Sequence, residues 1–172
     1  AELDTVLRSI RVHGQGSDKY ENVRLGLTGR LDAMQAAVLE VKLDIFEDEI
    51  AARQRVADYY SQALAARGIA VTAPVVPAGF SSAWAQYTVV AADSAARAAY
   101  QAKLSESGVP TMIYYPKGLH EQIAFARLGY QRGDFAVTER MADRVFSLPM
   151  HPYLANDQID MIVAAMAEVA RG

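Results

Sequence analysis

The longest regular pattern in the chain is a helical repeat of apolar residues between positions 30 and 67, a stretch without glycine or proline. Its apolar positions are Leu31, Met34, Val38, Val41, Phe46, Ile50, Ala57, Tyr60 and Leu64. This spacing lines one face of a 3.6-residue repeat, so it predicts α-helix. Because about forty residues are too many for one ordinary helix, we expect a bend between residues 44 and 48. The second helix should end at Gly68, a residue type favoured in the left-handed helix cap.

Four shorter segments have the composition of β-strands. They are residues 69–77 ("IAVTAPVVP"), 83–91 ("AWAQYTVVA"), 111–116 ("TMIYYP") and 146–150 ("FSLPM"). β-Branched and aromatic residues are frequent in them, and prolines stop the first and third segments. The pattern therefore predicts short extended segments rather than long strands.

Three further helices are predicted between and after these segments. The first is capped by Asp93 or Ser94 and ends at "ESGVP"; the second is marked by Val137, Met141 and Val145; the third begins near Asn156. The apolar positions of the first are Ala96, Tyr100 and Leu104, and those of the third are Ile159, Ile162, Val163, Met166 and Ala170. Helices alternating with short strands indicate an α/β or α+β fold around a small sheet.

Composition narrows the classes of function. The 172 residues are 52% apolar, enough for a sizeable core. The net charge of -3 offers no broad basic surface, so we expect no nucleic-acid partner. The absence of cysteine excludes disulfides, thiolate nucleophiles and iron–sulfur clusters. Because no apolar run approaches the length of a membrane helix, we expect a soluble protein. The lack of cysteine is compatible with a reducing cytoplasm, which is the location that we expect.

Metal binding and a catalytic lysine both lack support in the chain. The histidines, His13, His120 and His151, show none of the short spacings of a metal-binding helix, so we expect no metal site. The lysines lie in predicted loops or on polar helix faces rather than in apolar pockets that would lower their pKa for Schiff-base chemistry.

A glycine-spaced turn precedes the first predicted helix and contains Thr28, Gly29 and Arg30. The free N–H groups of a helix N-terminus attract anions, and an arginine beside them adds a planar set of donors. The turn is therefore a candidate anion site. The alternative is that Thr28 is a plain N-cap beside a solvated arginine.

Two further segments are candidates. In "MIYYPKGLHEQ", Tyr114 and Tyr115 would face opposite sides of a strand, so that one packs in the core and the other presents its ring to a ligand, with Lys117 and His120 adding donors. The alternative is a pair of half-buried structural tyrosines. The loop "RVHGQGSDKY" carries His13, Gln15 and Lys19, but it lacks the further glycine of a dinucleotide-binding motif.

Taken in order, these pieces resemble a known family. "IRVHGQG", "GLTGRLDAMQAAVLEVKL", "IYYPKGLHEQ" and "FSLPMHPYL" are similar to the C-terminal half of the pyridoxal-phosphate-dependent sugar-nucleotide aminotransferases of the DegT/DnrJ/EryC1/StrS group. These are fold-type I enzymes. "VHGQG" and "GRLDAMQAAVL" look most similar to the branch that aminates the 3-position of UDP-linked N-acetylated hexuronic acids for bacterial surface polysaccharides.

The resemblance implies a cofactor, substrates and site residues. Thr28 stands where the family has an asparagine that helps to hold the pyridoxal 5'-phosphate of the partner subunit, across a homodimer interface with shared active sites. Arg30 matches an arginine that meets an anionic part of the substrate, and a uronic carboxylate suits it. Tyr114 and Tyr115 match an aromatic pair that lines the sugar-nucleotide pocket, and His13 is also assigned to substrate binding. The amino donor would be glutamate.

The resemblance also implies what the chain does not contain. The family's Schiff-base lysine belongs upstream of the "RVHG" loop, so we expect no catalytic residue in the 172 residues and no transaminase activity from them alone. Residues 1–43 would be a remnant of the large cofactor-binding domain with a dimer-interface helix, 44–67 a connecting helix, and 68–172 a small α/β domain with a mainly antiparallel sheet. Two alternatives stay open: a pyridoxamine-dependent sugar dehydratase of the same fold, and a non-catalytic module that binds nucleotide sugars or serves assembly.

Overall fold

The computed structural model describes residues 2–18 and 20–169 of the chain. It divides into two compact units, residues 1–47 and 48–172. Lys19 and Ala170, which the sequence analysis mentions, lie outside the described residues. None of the described helices is both long enough and apolar enough to cross a membrane.

The first unit contains two helices joined by a hydrogen-bonded loop. Helix α1 spans Glu2–Ile10 and helix α2 spans Ala33–Leu43. Between them the chain folds back on itself, with isolated antiparallel bridges from Val12 to Thr28 and from Gln15 to Asn22. The sequence analysis did not predict α1, although its apolar and polar residues separate onto different faces.

The predicted bend in the long apolar repeat is confirmed. Helix α2 ends at Leu43 and helix α3 begins at Phe46, spanning Phe46–Ala66. Gly68 follows with φ +59°, in the left-handed region that terminates helices.

The second unit is built on a three-stranded antiparallel sheet. Strand β1 is Val71–Thr72, β2 is Tyr87–Ala91 and β3 is Val145–Leu148, in the spatial order β1-β2-β3. In the register, Tyr87 faces Leu148 and Val90 faces Val145. The remaining α-helices of the described chain are α4 (Ser94–Glu106), α5 (Ala136–Arg144) and α6 (Asn156–Val169). The expected small antiparallel sheet packed by helices is therefore confirmed.

The strand predicted over residues 111–116 is wrong. Only Met112 pairs, in one antiparallel bridge to Ser147, and the two tyrosines lie beyond the sheet. Pro116 has no N–H to donate, so pairing could not have continued through it. The chain continues through two 3₁₀ turns, Leu119–Glu121 and Ile123–Leu128.

Two other predicted boundaries also move. The segment 83–91 becomes strand only from Tyr87, because Trp84 has φ +46° and its N–H bonds the Ser82 hydroxyl instead of a strand. Val145, predicted on a helix, is the first residue of β3. Helix α5 therefore passes directly into the sheet without a loop.

The core lies between the sheet and helices α3, α4 and α6, and aromatic rings form its centre. Tyr60 of α3 stacks on Tyr87 of β2 with ring centroids 4.9 Å apart, and Tyr100 of α4 stacks on Phe146 of β3 at 5.9 Å. The buried hydroxyls are satisfied: the Tyr60 hydroxyl donates to the Pro149 carbonyl at 3.0 Å. Stacked pairs of this kind stabilise a core beyond the area that they bury.

Phe146→Ala should therefore lower the free energy of unfolding of the second unit by about 3–5 kcal/mol, because it removes a fully buried ring and leaves a cavity. Urea unfolding followed by Trp84 fluorescence measures the change. The same substitution at the exposed Phe80 is the control and should cost less than about 0.5 kcal/mol. Equal losses from the two variants would show that the core is not centred on Phe146.

Candidate functional site

In the first unit, the structure brings His13 and Thr28 together. The bridge between Val12 and Thr28 aligns the two chain segments, and the His13 N–H donates to the Leu27 carbonyl at 3.1 Å. As a result, the imidazole Nε2 of His13 lies 3.4 Å from the Thr28 hydroxyl. Two of the predicted site residues, 15 positions apart in sequence, thus share one surface.

Arg30 lies two residues beyond Thr28, on the same turn. The Gly29 N–H donates to the Arg11 carbonyl at 2.8 Å and holds the turn against the end of α1. The Arg30 side chain is exposed, and it forms no ion pair with any residue that the structure describes. Its guanidinium is therefore available to an external anion.

The N-cap of α2 is Asp32, so the interpretation of Thr28 as the cap is wrong. The Asp32 carboxylate accepts hydrogen bonds from the Met34 and Gln35 N–H groups at 2.9 and 3.2 Å. These donors are already satisfied by a negative charge, so the helix terminus itself does not attract an anion. Any anion binding by this turn depends on Thr28 and Arg30.

In the second unit, the two tyrosines border a cavity of 580 Å³. The rings of Tyr114 and Tyr115 meet edge to face with centroids 5.6 Å apart. They do not face opposite sides of a strand, because no strand forms there. The exposed fraction is 37% for Tyr114 and 70% for Tyr115. Both rings are therefore available to one ligand.

The rest of the cavity is mainly apolar. One wall consists of the turn that follows the tyrosines, from Pro116 to Leu119, and the opposite wall is helix α5, through Val137, Thr138 and Met141. Lys117 is exposed and also lines the cavity, as predicted for a donor near the tyrosines. A concave apolar surface with aromatic rings and a few polar groups is typical of a small-molecule site.

Behind the cavity lies a polar pair that the sequence analysis only half identified. Nε2 of His120 lies 3.0 Å from Oε1 of Glu139, and the two side chains are only 6% and 9% exposed. Glu139 also accepts from the Gly133 N–H at 2.8 Å and from the Phe135 N–H at 3.3 Å. The pKa of Glu139 lies below its ordinary value, and the hydrogen bond from the Gly133 N–H is the largest cause. The hydrogen bond with His120 also lowers the pKa, whereas burial raises it.

Glu139 was missed by sequence reasoning, whereas His120 was named only as a donor. The available signal was the position of Glu139 in the first turn of α5, where carboxylates accept from N–H groups that precede the helix. The contact with His120 joins positions 19 residues apart and has no local signature in the sequence.

Comparisons with known proteins agree with the family resemblance of the sequence motifs. A model described as the DegT/DnrJ/EryC1/StrS aminotransferase family matches residues 1–167. A UDP-2-acetamido-2-deoxy-3-oxo-D-glucuronate aminotransferase of Pseudomonas aeruginosa is 42% identical over 165 residues, which are 96% of this chain and 44% of that protein. A pleiotropic regulatory protein of Geobacillus stearothermophilus is 40% identical over 99% of this chain and 45% of its own.

Solved structures show the same similarity. A DegT DnrJ EryC1 StrS aminotransferase from Brucella abortus has a TM-score of 0.81 at 44% identity, covering 96% of this chain and 43% of that one. DesV of S. venezuelae, in complex with a ketimine intermediate, has a TM-score of 0.85 at 30% identity, covering 99% and 45%. The chain therefore spans less than half the length of the relatives that it matches.

The capping geometry predicts different effects of two neighbouring substitutions. Asp32→Ala should destabilise α2 by about 1 kcal/mol, because the Met34 and Gln35 N–H groups lose their acceptor. Thr28→Ala should leave α2 unchanged, and Asp32→Asn, which keeps an acceptor, is the matched control. Hydrogen-exchange protection of residues 34–43 measures all three. Loss of protection in Thr28→Ala would restore Thr28 as a helix-stabilising residue.

Proposed function

Because the chain belongs to the DegT/DnrJ/EryC1/StrS aminotransferase family, we propose that it forms part of a pyridoxal-phosphate-dependent enzyme that moves an amino group from glutamate to a keto-sugar nucleotide. The observation that carries this proposal is the family match over residues 1–167. The aminotransferase names of several relatives favour this reaction over the sugar dehydratase of the same fold. The family match also favours this reaction over a non-catalytic module that binds nucleotide sugars or serves assembly.

The substrate that we propose is a UDP-linked 3-keto N-acetylhexosaminuronic acid, used in surface polysaccharide biosynthesis. The Pseudomonas aeruginosa relative is named for such a uronate, whereas a relative from Acidithiobacillus ferrooxidans, 34% identical, is named a UDP-N-acetyl-3-dehydro-alpha-D-glucosamine 3-aminotransferase. These sugars differ in a carboxylate. The exposed guanidinium of Arg30 fits the charged substrate, because a carboxylate can accept two parallel hydrogen bonds from it.

The residues of this chain fit a supporting role toward the cofactor. When bound, pyridoxal 5'-phosphate carries the amino group and withdraws electrons from the reacting carbon. Thr28 presents a hydroxyl that can donate to a phosphate oxygen, and its only side-chain partner among the described residues is His13, at 3.4 Å. A hydroxyl has a shorter reach than the family's asparagine, so Thr28 would supply one hydrogen bond.

We assign no catalytic residue to the 172 positions. A Schiff-base lysine needs a pKa below that of an ordinary lysine. The Glu168 carboxylate, 2.7 Å from the Lys103 ammonium, instead holds the pKa of Lys103 above its usual value. Lys42 and Lys117 are exposed to water rather than enclosed in an apolar pocket. The absence of cysteine is compatible with the cytoplasm, which we propose as the location.

We further propose a homodimer in which the first unit meets the partner's active site. Helix α2 presents apolar side chains to solvent along most of its length, and Met34 is 80% exposed. The exposed apolar residues in this helix and just before it are Leu31, Met34, Val38, Leu39, Val41 and Leu43. A continuous exposed apolar surface of this kind marks an interaction site. Thr28 and Arg30 immediately precede it, so burial of α2 against a second subunit would bring both into that subunit's site.

Arg30→Ala should raise the KM for the uronate substrate by about 10- to 100-fold, which corresponds to losing a charge-assisted hydrogen bond. The KM for the UDP-N-acetyl-3-keto-glucosamine analogue should change much less, and the cofactor absorbance should be kept. The assay uses the full-length protein, with Arg24→Ala, an exposed arginine of the same unit, as the control. An equal loss for both sugars would place Arg30 outside carboxylate recognition.

Met34→Glu should convert the full-length dimer to monomer, because it places a charge in the proposed apolar interface. Sedimentation velocity measures the change. Glu40→Gln, on the same helix, should leave the dimer intact. A dimer in both variants would mean that α2 is covered by something other than a second subunit.

A further inference from the structure

Two loops of the second unit converge on one carboxylate. Both oxygens of Glu139 lie within hydrogen-bond distance of the Gly133 N–H, at 2.8 and 2.9 Å. The Phe135 N–H adds a bond at 3.3 Å, and the imidazole of His120 approaches from the other loop at 3.0 Å. A nearly buried carboxylate with several donors is fixed in position, because each lost bond would leave a polar group unsatisfied.

The turn at residues 118–121 is built to place His120 in this arrangement. A Cβ on Gly118 would lie 2.6 Å from two atoms of the His120 ring and 3.1 Å from the Thr138 methyl group, so only glycine leaves room for the imidazole. The His120 ring also packs against Phe135, with centroids 4.8 Å apart. The turn is therefore held against α5 by packing as well as by the hydrogen bond.

Arg132 adds a second connection between the same elements. Its guanidinium donates to Glu121 and to Asp143, at 3.0 Å in each case. These contacts are exposed and weak in isolation. The His120–Glu139 contact is the nearly buried one, so it is the stronger restraint on the turn.

The turn at residues 118–121 forms part of the cavity wall. Gly118 and Leu119 line one side of the 580 Å³ cavity, and Val137, Thr138 and Met141 line the other. His120 and Glu139 belong to these same two walls but lie outside the cavity lining. A bond between them therefore sets the distance between the walls without touching a ligand in the cavity.

We propose that Glu139 is a positioning residue that, through His120, holds the segment 114–121 at a fixed distance from α5 and thereby shapes the cavity for a nucleotide sugar. The ligand class rests on the proposed function; the mechanical coupling does not. The segment 114–128 contains no α-helix or strand, and its 3₁₀ turns bond only within the segment, so the contacts of His120 and Glu121 are the side-chain links that tie it to α5 and the loop before it. Tyr114 and Tyr115 begin this segment, and their placement depends on it.

The experiment compares four variants of the full-length protein. His120→Ala removes the link to the turn and leaves the Gly133 and Phe135 bonds to Glu139. Glu139→Ala removes the contacts with His120, Gly133 and Phe135 together. Glu139→Gln keeps a side chain of the same length that still has one oxygen acceptor. Glu106→Gln makes the matched change at an exposed carboxylate on α4 and is the control. Hydrogen exchange is measured over residues 114–121, 129–135 and the sheet, and the dissociation constant is measured for UDP.

In His120→Ala, exchange over residues 114–121 should accelerate while residues 129–135 and the sheet keep their protection. In Glu139→Ala, both loops should accelerate, and Glu139→Gln should restore part of the protection. The dissociation constant for UDP should rise by about tenfold in His120→Ala and in Glu139→Ala, because each variant loses the hydrogen bond that restrains the cavity wall. It should stay unchanged in the control, Glu106→Gln.

Unchanged exchange over residues 114–121 in His120→Ala would overturn the proposal. Acceleration confined to residues 129–135 in Glu139→Ala would also overturn it, because Glu139 would then only cap α5. If Glu139→Ala unfolds the sheet, His120→Ala alone decides between these results. If wild-type protein does not bind UDP, the nucleotide-sugar assignment fails while the exchange data still decide the coupling.

Discussion

The second unit depends on the stacking of Tyr60 on Tyr87. This contact joins helix α3 to the central strand, and the two hydroxyls extend it: Tyr60 donates to the Pro149 carbonyl and Tyr87 bonds Ser61 at 2.8 Å. Burial raises the pKa of Tyr87, which disfavours its phenolate form inside the core. Because Pro149 directly follows β3, and β3 directly follows α5, the aromatic stack also determines where the cavity's helical wall stands.

Periodicity in the sequence was a good guide to burial for helix α6 and for the later turns of α3, although Phe46 at the start of α3 is exposed. Ile159, Ile162, Val163 and Met166 were predicted on one face of the last helix, and all are buried. It was a poor guide to burial for α2, whose regular apolar spacing is the same but whose side chains are exposed. Apolar spacing predicts which side chains share a helix face, and it does not predict whether that face packs within the chain.

The site could be predicted only in part, for physical reasons. Thr28, Arg30, Tyr114 and Tyr115 were candidates from the local residue pattern, and the family resemblance supplied their roles and added His13. The structure shows these residues exposed or bordering a cavity, while their roles stay predictions. The predicted strand geometry of the tyrosines was wrong. Residues 111–116 have the composition of a strand, but only Met112 pairs, in one bridge to Ser147. Composition alone does not distinguish a single bridge from a full strand. Glu139 was missed because its partners His120 and Gly133 come together only after the loops close over α5.

The bridge between Met112 and Ser147 also protects the protein from misassembly. Strand β3 is buried along its whole length, and a free edge of such a strand would be a template for pairing with another chain. Met112 occupies the hydrogen-bonding positions at the middle of that edge, and the opposite edge of the sheet, β1, is only two residues long. Neither edge of the described sheet therefore offers a long run of free backbone hydrogen-bonding groups to a strand of another chain.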